Sequence, residues 1–353
     1  MPNCKQCGAP LFNYAAGDAQ EYCPRCQAQI EAQQRRQEAS TSQLVRRFPI
    51  TTGLIVVNIL VFLAMVLNKI SPFNPSTLQM LRWGADFGPM TLSGEWWRLF
   101  TSMFLHFGVM HIGLNMWCLW NLGLLAESLF GRWTFLAIYL ATGVGADLFS
   151  LAWSASRISA GASGAVFGLA GALITGLYFA KLSVPRSELQ GIIKNVVVFA
   201  GLNLAIGLGV GFVDNMAHLG GLVTGLAIGL AMAPVLSRPR EQRQMPKVAI
   251  MTVAGLALLV GVFVVQHVQA YAAFFGRGDR LIQSGDYQAA LAQLKQAASL
   301  KPSDPVIQQE LGYAYDKTGD KANATLAYQH ALQLDPNLKF ARGRLEELKR
   351  GQP

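Results

Sequence analysis

The sequence predicts an all-α polytopic membrane protein with a small soluble unit at each end, and three observations carry that expectation. Of the 353 residues, 52% are apolar and only 14% are charged. The 35 glycines suit close-packed transmembrane helices better than a soluble core. The apolar residues are also segregated: residues 1–45 and 269–353 are polar, and the hydrophobic mass lies between them. Much of the basic excess behind the net charge of +9 lies in short segments flanking apolar spans, so membrane topology accounts for it without a nucleic-acid partner.

The first unit, residues 1–29, carries Cys4-x2-Cys7 and Cys23-x2-Cys26. Two such knuckles bring four thiolates tetrahedrally around one Zn²⁺, and a segment too short to bury a core gains its fold from the metal. A zinc ribbon with a structural zinc is therefore expected. The fifth cysteine, Cys118, falls inside an apolar span as a small core residue. Residues 30–45, rich in Gln, Ala, Glu and Arg, form a linker or solvated helix. The opening MPNCKQCGAP lacks a basic stretch followed by an apolar run, so the first span is expected to serve as its own insertion signal.

Seven apolar spans follow, at residues 51–68, 108–127, 134–153, 163–179, 196–211, 216–235 and 248–268. Basic segments at Arg46 and Arg47, at Arg132, at Lys181, Arg186 and Lys194, and at Arg238, Arg240, Arg243 and Lys247 alternate with the nearly uncharged turn at 211–215. Positive charge stays on the cytoplasmic side, which puts the N-terminus in the cytoplasm and the C-terminus outside. Residues 46–236 are read as a six-helix core, and 237–268 as a basic loop and a seventh transmembrane helix.

Residues 269–353 contain a repeat of 34 residues. Gly278, Gly285, Ala290, Ala297 and Pro302 recur as Gly312, Gly319, Ala324, Ala331 and Pro336, with Leu294 matched by Tyr328. This is the tetratricopeptide signature: two repeats and a capping helix, whose ends need cover from the seventh span or a partner. The default ligand of such a groove is a peptide or protein.

Within the core, Ser163 opens the fourth span and His218 lies near the start of the sixth. Both spans run inward from the outside, so hydroxyl and imidazole share one depth. A serine is a weak nucleophile until a base takes its proton, and histidine is matched to that task near neutral pH. Gly164 and Gly168 on one helix face Gly221, Gly225 and Gly229 on the other, the small-xxx-small spacing that lets backbones approach. His111 and Asn115, four apart on one helical face, are candidate oxyanion donors. Asp214 precedes His218, but a two-residue dyad is the better reading.

The chain resembles the rhomboid intramembrane serine proteases over residues 46–236. The resemblance rests on GEWWRLFTSMFLH at 94–106, HIGLN at 111–115, GASG at 161–164 and AHLGG at 217–221. It implies a rhomboid six-helix core extended by the seventh helix. It also implies that Ser163 is the nucleophile and His218 the base, with Gly161 and Gly164 flanking the serine. His111, Asn115 and the Ser163 N–H would stabilise the oxyanion. Trp97 and Arg98 match the family's Trp-Arg pair in the loop after the first span, and Glu127 matches a structural glutamate at the inner end of the second. Phe167 stands where many relatives have a tyrosine stacked on the catalytic histidine.

The function expected is hydrolysis of peptide bonds in or near transmembrane segments of membrane-protein substrates, with no cofactor for catalysis. The setting is the lipid bilayer, as in a bacterial inner membrane, with the repeats extracytoplasmic. A catalytically silent relative that scaffolds membrane proteins is the alternative. A transporter is disfavoured by the lack of an inverted repeat and of intramembrane acidic pairs.

Overall fold

Helix dominates the computed structural model, which describes residues 3–11, 21–31, 47–209 and 213–350. The expected linker from residue 32 onward, Arg46 and residues 210–212 of the turn after the fifth span lie outside the described residues. Among the described residues, six helices are long and apolar enough to cross a bilayer: α1 (Pro49–Leu67), α5 (Val109–Phe130), α6 (Arg132–Trp153), α8 (Arg186–Leu208), α9 (Asn215–Leu236) and α10 (Gln244–Val268). The seventh apolar helix, α7 (Ser163–Phe179), has 17 residues and stands buried among the others. At about 1.5 Å per residue it rises about 26 Å, short of a hydrocarbon core of about 30 Å. It is therefore too short to reach both faces of that core.

Glycine sets how α7 and α9 meet. A Cβ added at Gly221, Gly225 or Gly229 would stand 2.0, 1.9 and 2.3 Å from the carbonyl oxygens of Gly164, Gly168 and Ala172. Three consecutive turns of two parallel helices thus touch backbone to backbone, in the register the four-residue spacing predicts. The seven consecutive residues Gly164 to Ala170 of α7 are all buried.

Helix α10 runs alongside α6 and is pinned at both ends. Lys247 Nζ donates to Phe130 O at 2.5 Å at its first turn, and Gln269 Nε2, just past its last, donates to Ala152 O at 2.7 Å. The rest of α10 turns Leu256, Leu259, Val260 and Phe263 outward, as a lipid-facing helix should.

The connection between α1 and α5 holds elements that periodicity does not reveal. Helix α2 (Thr77–Trp83) begins with a Ser76–Gln79 capping box. A two-residue strand β1 (Asp86–Phe87) pairs antiparallel with β2 (Ile158–Ser159). Two single turns, α3 (Gly88–Thr91) and α4 (Arg98–Thr101), lead into a 3-10 turn at Ser102–Phe104.

The repeats form α11 (Ala270–Ser284), α12 (Tyr287–Leu300), α13 (Pro305–Lys317), α14 (Lys321–Leu334) and the cap α15 (Lys339–Arg350). Gly278 faces Leu294 and Gly312 faces Tyr328, so each repeat packs its glycine on the large residue of its own second helix. Asp286, Asp304 and Asp320 accept N–H groups at the starts of α12, α13 and α14. The open end of the array is covered by the chain itself. A Cβ at Gly276 would meet Pro89 O at 1.7 Å, and Arg280 donates to both Ser93 Oγ and Ser93 O at 2.6 Å.

Candidate active site

Ser163 is the first residue of α7 and lines a cavity of about 410 Å³ with His218, His111, Asn115 and Gly161. The first intrahelical bond runs from Val166 N to Ala162 O. Helix geometry therefore leaves the N–H groups of Ser163 and its next neighbours free at the cavity edge, where an anion is favoured. Gly161 has φ +139°, a conformation side chains rarely adopt. A Cβ there would also stand 2.8 Å from the His111 ring and 3.6 Å from Ser163 Oγ.

His218 reaches the same cavity from the first turns of α9 and is 8% exposed. Its ring stacks on Phe167, centroids 4.3 Å apart and planes 13° apart. Phe167 thus supplies the expected ring one turn below the serine. The contact of Gly164 with Gly221 holds the two helices together beside these side chains. Asp214 is occupied elsewhere: Oδ1 accepts from Met216 N at 3.2 Å and Ala217 N at 3.1 Å, and Oδ2 accepts from Ser150 Oγ at 2.5 Å. Its role is to cap α9 and tie it to α6, and His218 Nδ1 has no hydrogen-bond partner among the described residues.

His111 is oriented by its own helix start. The N–H of Phe107 donates to His111 Nδ1 at 3.2 Å, which assigns the proton of the neutral ring to Nε2, the nitrogen beside Gly161. Asn115 donates one amide hydrogen to the His111 carbonyl at 2.9 Å and keeps the other.

The supporting residues are anchored as follows. Arg98 is 4% exposed and donates to Leu81 O at 2.7 Å, Ala85 O at 2.9 Å and Glu95 Oε2 at 2.7 Å, with its guanidinium 4.7 Å from the Trp97 ring. It ties α4 to the end of α2. Glu127 accepts from Ile50 N at 3.2 Å, Thr51 N at 2.8 Å and Thr51 Oγ1 at 2.7 Å, capping the start of α1 from α5.

Two further polar residues near the site escape sequence reasoning. His106 is fully buried, and the N–H of Ala162 points to its Nε2 at 3.5 Å. Asp147 on α6 accepts from Ser102 Oγ at 2.5 Å. His106 closes the 94–106 motif, and an aspartate within an apolar span is itself a signal. Cys118, expected in the core, is buried and also lines the cavity.

The ribbon cysteines gather as their spacing predicts. The Sγ atoms of Cys4, Cys7, Cys23 and Cys26 all lie within 4.8 Å of one another. Tetrahedral ligation at about 2.3 Å places sulfurs about 3.8 Å apart, and Cys7 Sγ and Cys23 Sγ are 3.7 Å apart. The Cys23 N–H donates to Cys4 Sγ at 3.2 Å and draws that thiol's pKa down. Burial pushes Cys26 up. The four thiols fit a metal ion.

The rhomboid domain matches residues 93–235, a stretch that contains every residue placed at the cavity above. A TPR repeat matches residues 278–319 and a tetratricopeptide repeat residues 307–338. The rhomboid protease AarA of Providencia stuartii is 31% identical over 205 residues, 52% of this chain and 72% of that protein. This chain belongs to the rhomboid family. Another relative, the rhomboid protease GluP of Bacillus subtilis, is 30% identical over 307 residues, covering 87% of this chain and 58% of that protein. RHOMBOID-like protein 1 of Arabidopsis thaliana is 35% identical over 178 residues, 49% of this chain and 44% of that protein. The chain thus spans less than two thirds of several rhomboid relatives it matches, and like them it carries several membrane spans.

Proposed function

We propose that this rhomboid-family chain is an intramembrane serine endopeptidase that cleaves transmembrane proteins near the outer ends of their spans. One observation carries the reading: Ser163 at the start of α7 and His218, held flat on Phe167, line one cavity among the apolar helices. Ser163 Oγ attacks the scissile carbonyl as His218 takes its proton, and His218 then returns the proton to the leaving amine. The developing oxyanion meets the Ser163 N–H, His111 Nε2–H and the remaining Asn115 N–H. Water enters, and the same base activates it to release the acyl product.

The soluble units extend this core. Residues 46–236 act as the protease and 237–268 as its seventh span. Residues 1–29 hold a structural zinc in the cytoplasm, and residues 269–353 present a groove to a peptide or protein on the extracytoplasmic side. The contact of α11 with the α1–α5 connection supports that placement, because both then share the side of Ser163.

A fluorophosphonate probe and a transmembrane reporter substrate test the activity on purified protein. Wild type should label and cleave. Ser163→Ala should do neither, and His218→Ala should lose turnover while remaining folded. Near-normal turnover in either variant removes the dyad.

A further inference from the structure

Asp147 takes no part in the chemistry of Ser163 and His218, yet it is 5% exposed in an apolar helix and lines their cavity. An acidic side chain at such a place is costly and serves a partner. Its partner is Ser102, whose hydroxyl donates to Asp147 Oδ2 at 2.5 Å across 45 residues of sequence. Ser102 opens the 3-10 turn that follows the Trp97–Arg98 pair, and its main-chain carbonyl accepts the N–H of Gly161 at 2.9 Å. Gly161 in turn sits against the His111 ring and within 3.6 Å, measured from a Cβ placed there, of Ser163 Oγ. A second hydroxyl, Ser159 of β2, lies beside the same carboxylate and belongs to the strand that leads into Gly161. One side chain rooted in α6 therefore reaches both backbone segments that meet above the nucleophile.

We propose that Asp147 is a positioning residue: through Ser102 it fixes the Gly161 turn, and with it the Ser163 N–H and the His111 ring, so that the oxyanion donors stand preformed. This rests on the protease reading above. A donor displaced by about 1 Å costs on the order of 10²-fold in rate. The β1–β2 pairing holds the strand that leads into this turn and the Ala162 N–H points to His106, while Gly161 itself is tied to the α1–α5 connection through the Ser102 carbonyl.

The test is a double-variant cycle on the full chain in bilayers, with kcat and KM measured per folded protein on the transmembrane reporter. Ser102→Ala should lower kcat on the order of 10²-fold with KM within about twofold, because the loss falls on the transition state. Asp147→Ala should match it, and the double variant should be no slower than either single one, since both remove one connection. Asp147→Asn, which keeps an oxygen for the Ser102 hydroxyl, should recover to within about fivefold of wild type. If Asp147→Ala does not fold, Ser102→Ala and Asp147→Asn carry the comparison. A merely structural aspartate would lower thermal stability and leave kcat per folded molecule unchanged, which overturns the proposal, as do losses that multiply in the double variant. Wild-type kcat in Ser102→Ala beside an inactive Ser163→Ala overturns the positioning role and leaves the protease standing. A wild type that neither labels nor cleaves overturns both.

Discussion

At Gly161 a single methyl group tests the site. Alanine there meets both a φ of +139° and the His111 ring at 2.8 Å, so the Gly161→Ala variant should fold but lose cleavage by at least about 10²-fold, in line with a displaced oxyanion donor. Rate measurements beside circular dichroism decide it, and near-wild-type turnover would mean that the turn does not set the donors. Phe167 makes a smaller, graded case. A stacked aromatic pair contributes about 0.5–1.5 kcal/mol, so Phe167→Ala should slow turnover up to about tenfold. Phe167→Tyr, which keeps the ring, should stay close to wild type. Equal loss in both would show that His218 does not depend on the stack. These expectations follow from what the sequence shows: the spacing of Ser163, His218, His111 and Asn115 is legible, and so is the ring at Phe167. The tautomer of His111 is not, because it is set by the Phe107 N–H, a backbone group with no sequence signature.

Elements joined by side chains give sharper stability tests than elements joined by area. Glu127 satisfies two N–H groups and a hydroxyl at the start of α1. Each buried orphan costs about 1–3 kcal/mol, so Glu127→Ala should lower the thermal midpoint by several degrees, with Glu127→Gln milder because one oxygen remains. An unchanged midpoint would mean water replaces the carboxylate. The glycine ladder between α7 and α9 is readable in advance because four-residue spacing is periodic, and its register on Gly164, Gly168 and Ala172 fulfils that pattern. The α1–α5 connection is not readable. Its helices have four to seven residues, and its ties are long-range: Arg98 reaches Leu81 and Ala85, and Ser102 reaches Asp147. Nor does hydropathy locate the start of α8, which begins at Arg186, ten residues ahead of the expected span. Its first turns are polar, and hydropathy marks only the part in lipid.

In the whole molecule, the N-terminal ribbon and the C-terminal repeats make separate predictions. The ribbon should hold about one zinc per chain, and Cys4→Ser with Cys23→Ser should release it while the membrane core stays folded. Metal analysis that still finds a full equivalent would exclude the site. A cysteine at Ser284 should react with an impermeant thiol reagent in intact cells, and one at Gln242 should not. The reverse pattern would place the repeats in the cytoplasm. The short α7 has a further consequence for bilayer thickness. Because Ser163 is fixed at a depth within the protein while a substrate helix rides with the lipid, hydrophobic mismatch should act on the cut as a ruler. At about 1.5 Å per residue, a membrane thicker by about 6 Å, shared between its two faces, should shift the cleaved bond along the substrate by about two residues. Mass spectrometry of products from short-chain and long-chain lipid vesicles reads that shift, and an unmoved bond would mean that substrate sequence, rather than lipid depth, chooses the site.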